Sequence, residues 1–394
     1  MQERAAPEAF SPAEIKGARV IREKLVHLLP PEFNTEFFLA RWWRAYKGDV
    51  KMIEQRLTEL INHRNAFGYN SENVLDKALT LDFARKTLER FTISRFHMEV
   101  FSDDVAVFVH KMEGCNLKEI LKVLPLSNIL HSYFVLHECF QRTMHKHELR
   151  TGRPAAIVTI LDLSGLNLSD FMNPMSACSK LARLVVKIWS DYFSENMIRL
   201  YLLHPPGFLS LMWQIAKHIV DAKTQSQIVF IEKLEDLHKF LTPNSIPIEY
   251  GGTRRDDTGF STIPESCVRE LKPVLESEYF KPENFWREHG FRDVPDMKSV
   301  SLKSKHVYEI SKDVKAGQKI LWQFVVNSDF TFEITRVGPD GKEHPIWPKI
   351  TLTSLKVPEH GFVHCDLQGE YRIRWVNASH SWLPSKLTYA ATTK

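Results

Sequence analysis

The chain has 394 residues, of which 43% are hydrophobic and 25% charged, the proportions of a globular protein of two or three domains. Its 52 Lys and Arg nearly balance 48 Asp and Glu, a net charge of +4. That lacks the basic excess of a dedicated nucleic-acid binder, while 16 Gly and 20 Pro exclude fibrous and low-complexity classes.

From the N-terminus, MQERAAPEAF carries no basic-then-apolar leader. Ser11-Pro12-Ala13-Glu14 is a capping box with Pro at the first helical position. The helix it opens stops by Pro30-Pro31. A second helix is expected from Thr35 to Lys47, ended by Gly48, and a third after Asp49, through Ile53, Leu57, Leu60 and Ile61. Residues 1–90 are thus expected to form a helical lobe.

Residues 91–255 alternate apolar strands with helices: Val105–Val109, Ala156–Leu161, Ile198–Leu203 and Gln227–Ile231 as strands, with helices over Ser169–Phe193 and Phe208–Val220. Such alternation predicts a mixed, mostly parallel sheet with helices packed on it. Residues 256–290, with Pro264, Pro273 and Pro282, read as a partly helical surface linker. Residues 291–394 change character. Phe330–Thr335 and Tyr371–Trp375 alternate strictly, and turns sit at Gly317, Gly338–Gly341 and Gly369. They predict an all-β sandwich. The expected fold class is therefore multidomain, α/β plus all-β.

Catalytic signatures are missing: GxSxG, Walker A, GxGxxG and HExxH do not occur. No enzyme activity and no cofactor are expected. His131, His137, His145 and His147 share one helix, but their spacing favours a solvated, His-rich helix over a metal site. His364-Cys365 with Arg372 has one residue too many for a cysteine phosphatase loop, so Cys365 reads as structural. The other cysteines, Cys115, Cys139, Cys178 and Cys267, lie far apart and form no CxxC pair, as in a reducing compartment. With no apolar run of about 18 residues, a cytoplasmic location is expected. The Asn-x-Ser sequences at Asn167 and Asn377 are then accidental.

Three segments carry a specific likeness: Leu39-Ala40-Arg41-Trp42-Trp43-Arg44-Ala45-Tyr46-Lys47-Gly48-Asp49-Val50, Thr159-Ile160-Leu161-Asp162-Leu163-Ser164-Gly165-Leu166 and Ile246-Pro247-Ile248-Glu249-Tyr250-Gly251-Gly252. In this order they resemble the CRAL-TRIO family of lipid-transfer proteins. Leu321-Trp322-Gln323-Phe324 and Gly369-Glu370-Tyr371-Arg372-Ile373-Arg374-Trp375-Val376-Asn377 make the last block similar, more loosely, to a GOLD β-sandwich. The pairing is similar to the supernatant-protein-factor and tocopherol-associated branch of the family.

The resemblance implies a carrier that holds one lipid in an apolar cavity floored by the sheet. The helix over Phe208–Val220 would close it, with Phe208, Leu211, Met212 and Ile215 as gate residues; by periodicity alone that helix reads as core. Thr159, Leu161, Tyr201 and Leu203 are lining candidates, and only one of each adjacent pair on a strand can face in. At positions where choline-lipid binders carry hydroxyls, the chain keeps Thr159 but has Phe96, Phe108 and Ile157. The cavity is then greasier, suited to a tocopherol-like molecule, a prenyl lipid or a sterol precursor as well as to a phospholipid. Glu195 and Thr224 match headgroup residues of phosphoinositide binders, but the usual Lys is Gln227, which gives up a charge-assisted bond. Arg41, Arg44 and Lys47 form a basic cluster read either as headgroup or membrane contact or as a solvated helix face. A transient membrane surface and a protein partner of the sandwich are the other expected contacts. The alternative is an interaction scaffold with a vestigial cavity; an enzyme acting on phosphorylated lipid comes last, for want of a nucleophile or metal site.

Overall fold

The computed structural model describes residues 4–69, 80–94, 101–193, 195–205, 214, 222–255, 268 and 271–394. The helical lobe begins with α1 (Pro12–Leu25), where Ser11 Oγ accepts from Glu14 N–H and the Glu14 carboxylate accepts from Ser11 N–H. Two more helices follow, α2 (Glu36–Ala45) and α3 (Val50–Phe67), capped by Thr35 and Asp49. A shorter α4 (Asp82–Leu88) leads to the sheet.

The sheet strands are β1 (Thr92–Ile93), β2 (Phe101–Ser102), β3 (Val105–Lys111), β4 (Ala156–Asp162), β5 (Met197–Leu203) and β6 (Ile228–Phe230), in the order β1-β3-β4-β5-β6 with β2 also on β3. Strands β3 to β6 are parallel; β1 and β2 run antiparallel to β3. Between β3 and β4 run a short α5 (Leu117–Ile120) and the long α6 (Leu126–Thr151). Helix α7 (Ala177–Ile188) continues as a π turn through Phe193. It starts eight residues later than its periodicity suggests, because Asn173-Pro174 makes a turn and Ser176 caps the helix by accepting from Ser179 N–H. A short α8 (Ala222–Gln227) precedes β6.

Helix α6 corrects the expectation of a solvated helix: His131, His137 and His147 are all buried. His131 meets His63, His137 stacks on Phe193, and His147 pairs with Asp104 at 2.8 Å. Among the described residues no three His, Cys, Asp or Glu side chains are grouped to hold a metal ion. No described helix is long and apolar enough to cross a membrane.

After α9 (Pro282–Glu288) come eight antiparallel strands: β7 (Lys298–Leu302), β8 (Val307–Val314), β9 (Lys319–Val326), β10 (Phe330–Val337), β11 (Glu343–Leu352), β12 (Glu359–His364), β13 (Gly369–Asn377) and β14 (Ser385–Thr393). They form two sheets, β11-β10-β13-β8 and β12-β9-β14-β7. Alternate residues Phe330, Phe332 and Ile334 are buried in one core with Trp322, Phe324 and Trp375, and the Phe332 ring contacts all three of these. The segment before the sandwich is not merely laid on the surface, because Trp286 of α9 is buried and its indole N–H donates to Gln323 at 2.9 Å.

The sandwich docks on the helices. Trp347 packs edge-on against Phe67, Phe83 and His131, and Arg183 of α7 holds Asp329 through two bonds of 2.8 and 2.9 Å. Glu359 accepts from the N–H groups of Leu126 and Ser127 at 2.9 and 3.1 Å, which caps α6 from another part of the chain. Burial, partly offset by these donors, pushes the Glu359 carboxyl from its ordinary 4.5 up to about 7. The folded chain therefore keeps a proton that the unfolded chain releases, and this contribution to stability is lost as pH rises between those two values. Thermal melts across this window should show Glu359→Gln flattening the pH slope by up to about 1.4 kcal/mol per pH unit. An unchanged slope would assign the titration to other groups.

Candidate functional site

The two faces of the parallel sheet differ. On one, Val105, Val107, Val109, Val158, Ile160, Tyr201 and Leu203 are sealed under Ile231, Leu237, Leu241, Ile246 and Tyr250. Tyr201 and Leu203 therefore do not line the same space as Thr159 and Leu161. The Tyr201 ring sits 5.1 Å from Phe240 on the sealed side. The strand alternation that turns Thr159 one way turns Ile160 the other, and Tyr201 is the register partner of Ile160.

On the opposite face the register builds rows across the strands. Phe108, Thr159, Leu200 and Ile228 form one; His110, Leu161, Leu202 and Phe230 form the next. Ala106 and Ile157 begin the row below and, with Phe108, join the core cluster that includes α6 and α7 residues; Phe108 meets Phe140 of α6 edge-on at 4.8 Å. Leu161, Leu200, Ile228 and Phe230 are only half-buried, and with Leu202 and Leu163 they make a separate apolar group. This is an apolar floor, incompletely covered at its β5–β6 end.

Three polar groups interrupt it. Thr159 Oγ1 contacts Met197 Sδ at 3.2 Å. Gln227 Nε2 donates to Met197 O at 3.3 Å, while its Oε1 is buried with no hydrogen-bond partner among the described residues. His110 Nε2 is likewise buried and unpartnered among them, and burial lowers its pKa to about 4, so the ring is neutral. The sequence reading missed His110. Its only signal is a polar residue directly after the apolar run Val105–Val109, in step with Phe108.

At the end of β4 the motifs meet. Asp162 accepts from Ser164 N–H and Oγ, from His204 Nδ1 at 2.9 Å and from Tyr250 OH at 2.8 Å. Burial opposes its charge, but these donors hold the carboxyl below its usual value. Asp162 thus ties the central motif to the closing one. The Gly pair after Tyr250 has a steric reason: Gly251 has φ +85°, and a Cβ on Gly252 would lie 1.9 Å from Ile246 O.

The basic residues of the first motif do not form one surface. Arg41 is buried, paired with Glu148 and donating to Ala155 O at 2.6 Å. Arg44 is half-buried, bonded to Glu14 at 2.6 Å and set over the Phe10 ring at 4.4 Å. Lys47 is exposed, with φ +50°. Glu195 is half-buried, and its charge acts on Arg44. Phe96, Phe208, Leu211, Met212 and Ile215 lie outside the described residues; of Thr224 only the backbone, in α8, is described.

The mixed sheet thus has one sealed face and one apolar, half-buried face. Residues 102–252 match the CRAL/TRIO domain, and the antiparallel sandwich after them fits a GOLD-like domain. The CRAL-TRIO domain-containing protein C34C12.6 of Caenorhabditis elegans is 28% identical over 387 residues, covering 96% of this chain and 94% of that protein. A second protein so named from that organism, F28H7.8, is 21% identical, covering 96% and 92%. The phosphatidylinositol/phosphatidylcholine transfer protein SFH12 of Arabidopsis thaliana is 22% identical, covering 76% of this chain and 62% of its own length.

Arg41 tests the structural assignment of the first motif. Arg41→Met leaves Glu148 buried without its cation and should cost about 3–5 kcal/mol in urea denaturation. Lys47→Ala should stay within about 0.5 kcal/mol.

Proposed function

We propose that the chain binds one hydrophobic lipid over the Phe108–Phe230 face of the sheet and carries it between membranes, without a catalytic step. The observation that supports this reading most is the half-buried apolar floor with two buried polar atoms, on His110 and Gln227, that have no hydrogen-bond partner among the described residues. The leucines and aromatics supply the lining that replaces a bilayer, at about 0.8 kcal/mol per buried CH₂. The likeness to a phosphatidylinositol/phosphatidylcholine transfer protein supports the same class of ligand.

The polar points set the kind of lipid. A neutral His110 accepts from or donates to a hydroxyl or ester group but offers no charge to a phosphate. Gln227 likewise provides a neutral amide. A tocopherol-like molecule, a sterol precursor or a neutral glycerolipid matches this floor better than a phosphoinositide held through its phosphates. The proposed setting is the cytoplasm, with transient contact to membranes. The proposed units are the helical lobe to about residue 90, the lipid-binding domain over 91–255, a connector over 256–290 and the sandwich from 291. The gate role of Phe208, Leu211, Met212 and Ile215 belongs to the same proposal.

Native mass spectrometry of the purified chain, followed by organic extraction, tests it. A stoichiometric lipid is expected. Leu161→Glu, which puts a charge on the open face, should reduce occupancy at least about tenfold. Tyr201→Phe, on the sealed face, should leave occupancy unchanged. A wild type that is empty and takes up no lipid from vesicles, or equal loss in both variants, would overturn the reading.

A further inference from the structure

Single exposed hydrophobics are common on any protein surface, and Val26 or Leu149 need no explanation. The turn between β13 and β14 is different. Trp382 is fully exposed and its neighbour Leu383 is 75% exposed, at the tip of residues 378–384. A contiguous Trp-Leu pair standing in water forgoes burial that either side chain would gain in an apolar partner.

The tip is braced. Asn377 is wholly buried and donates from Nδ2 to Leu302 O at 2.8 Å, while its Oδ1 accepts from Ser379 N–H and Oγ at 3.0 and 2.6 Å. Leu383 N–H donates to Ser381 Oγ at 3.1 Å, and Pro384 follows. The sequon at Asn377 is thus a structural anchor. The pair is presented on a shaped turn, so little ordering entropy is lost when it engages a surface.

Two neighbouring turns stand beside it. Ser304 Oγ donates to Ser379 O at 2.5 Å and Lys305 N–H to Asn377 O at 2.8 Å, which brings in residues 303–306. Ala378 N–H donates to Asp329 O at 2.9 Å and Lys386 N–H to Asn327 Oδ1 at 3.1 Å, which brings in 327–329. Lys303, Lys305 and Lys386 on these turns are exposed. Residues 298–308 and 376–394 contain no Asp or Glu. The acid nearby, Asp329, is engaged by Arg183. This end of the sandwich therefore combines an apolar tip with lysines and no free acid from those segments.

We propose that this end is a membrane-docking site, with Trp382 and Leu383 entering the interfacial layer and Lys303, Lys305 and Lys386 meeting anionic headgroups. The occupant is an anionic bilayer surface, because Trp favours the boundary between apolar and wet regions and lysines beside it are drawn to negative lipid. The tip deepens the carrier reading and rests on it: a carrier must meet a bilayer, and this is the surface that does so.

Co-sedimentation of the full chain with phosphatidylcholine vesicles, with and without phosphatidylserine, provides the test. The wild type should bind the phosphatidylserine vesicles, and rising salt should weaken that binding. Trp382→Ala with Leu383→Ala should weaken it by about tenfold. Lys303→Gln, Lys305→Gln and Lys386→Gln together should abolish the preference for phosphatidylserine. All of these positions are exposed, so thermal midpoints should not move, and lipid occupancy by native mass spectrometry should stay at the wild-type level. Unchanged vesicle binding in the Trp382 and Leu383 variant would overturn the proposal. So would a wild type that ignores phosphatidylserine vesicles, including one whose Trp382 is instead buried by a purified protein partner. An empty cavity in a wild type that still docks through the tip would sink the carrier reading and leave the docking site standing.

Discussion

Helix α6 cannot stand in water or in an apolar core by itself, and the rest of the molecule is arranged to resolve that. It buries Leu130, Phe134, Val135 and Met144, yet it also buries His131, Glu138, Gln141, His147 and Glu148. Buried charge is tolerated only when partners are supplied. They come from every part of the chain: Arg41 of α2 for Glu148, Arg64 of α3 for Glu138 at 3.2 Å, Asp104 of the β2–β3 turn for His147, and Glu359 of the sandwich for the helix N-terminus. Burial still raises the Glu138 pKa in spite of Arg64 and Arg142, and it leaves His131 at about 3 and therefore neutral. The helix is thus a lock. Removing Arg41 leaves Glu148 without its cation, and removing Glu359 leaves the Leu126 and Ser127 N–H groups without their side-chain acceptor.

That lock explains why the sheet has unequal faces. With α6 held against β3 and β4 by Phe140 and Phe108, the lower row of the front face is filled with protein. Away from α6, Leu161, Leu200, Ile228 and Phe230 stay only half-buried. Under the carrier reading, the ligand would have the α6 side as one wall and the sheet below it.

The capping box, the strand order of character and the sandwich could be read from the residues because each rests on local chemistry: Ser11 and Glu14 are three apart, and Phe330 to Thr335 alternates. Facing was harder. Parallel strands buried on both sides are continuous apolar runs, so nothing in Met197–Leu203 says that Tyr201 faces back and Leu200 forward until β4 fixes the register. Arg41 looked like a surface cation because its partner, Glu148, is 107 residues away. The histidines of α6 looked solvated for the same reason, since His63 and Asp104 lie on other elements. His110 was hidden in a strand whose apolar neighbours outweigh it. The start of α7 was misjudged because the apolar periodicity continues across a turn set by Asn173 and Pro174.

The same geometry bears on how the two ends of the molecule divide their work. The sandwich is fixed to the helices through Trp347, Arg183 and Glu359, and of these Trp347 and Glu359 also complete the burial and capping of α6. It is therefore not a loosely tethered module: freeing it would expose Trp347 and leave the α6 N-terminus uncapped, each unfavourable in water. A rigidly fixed sandwich turns its exposed tip into a fixed point relative to the sheet. Under the carrier reading, docking through Trp382 then holds the whole body at one orientation on the bilayer.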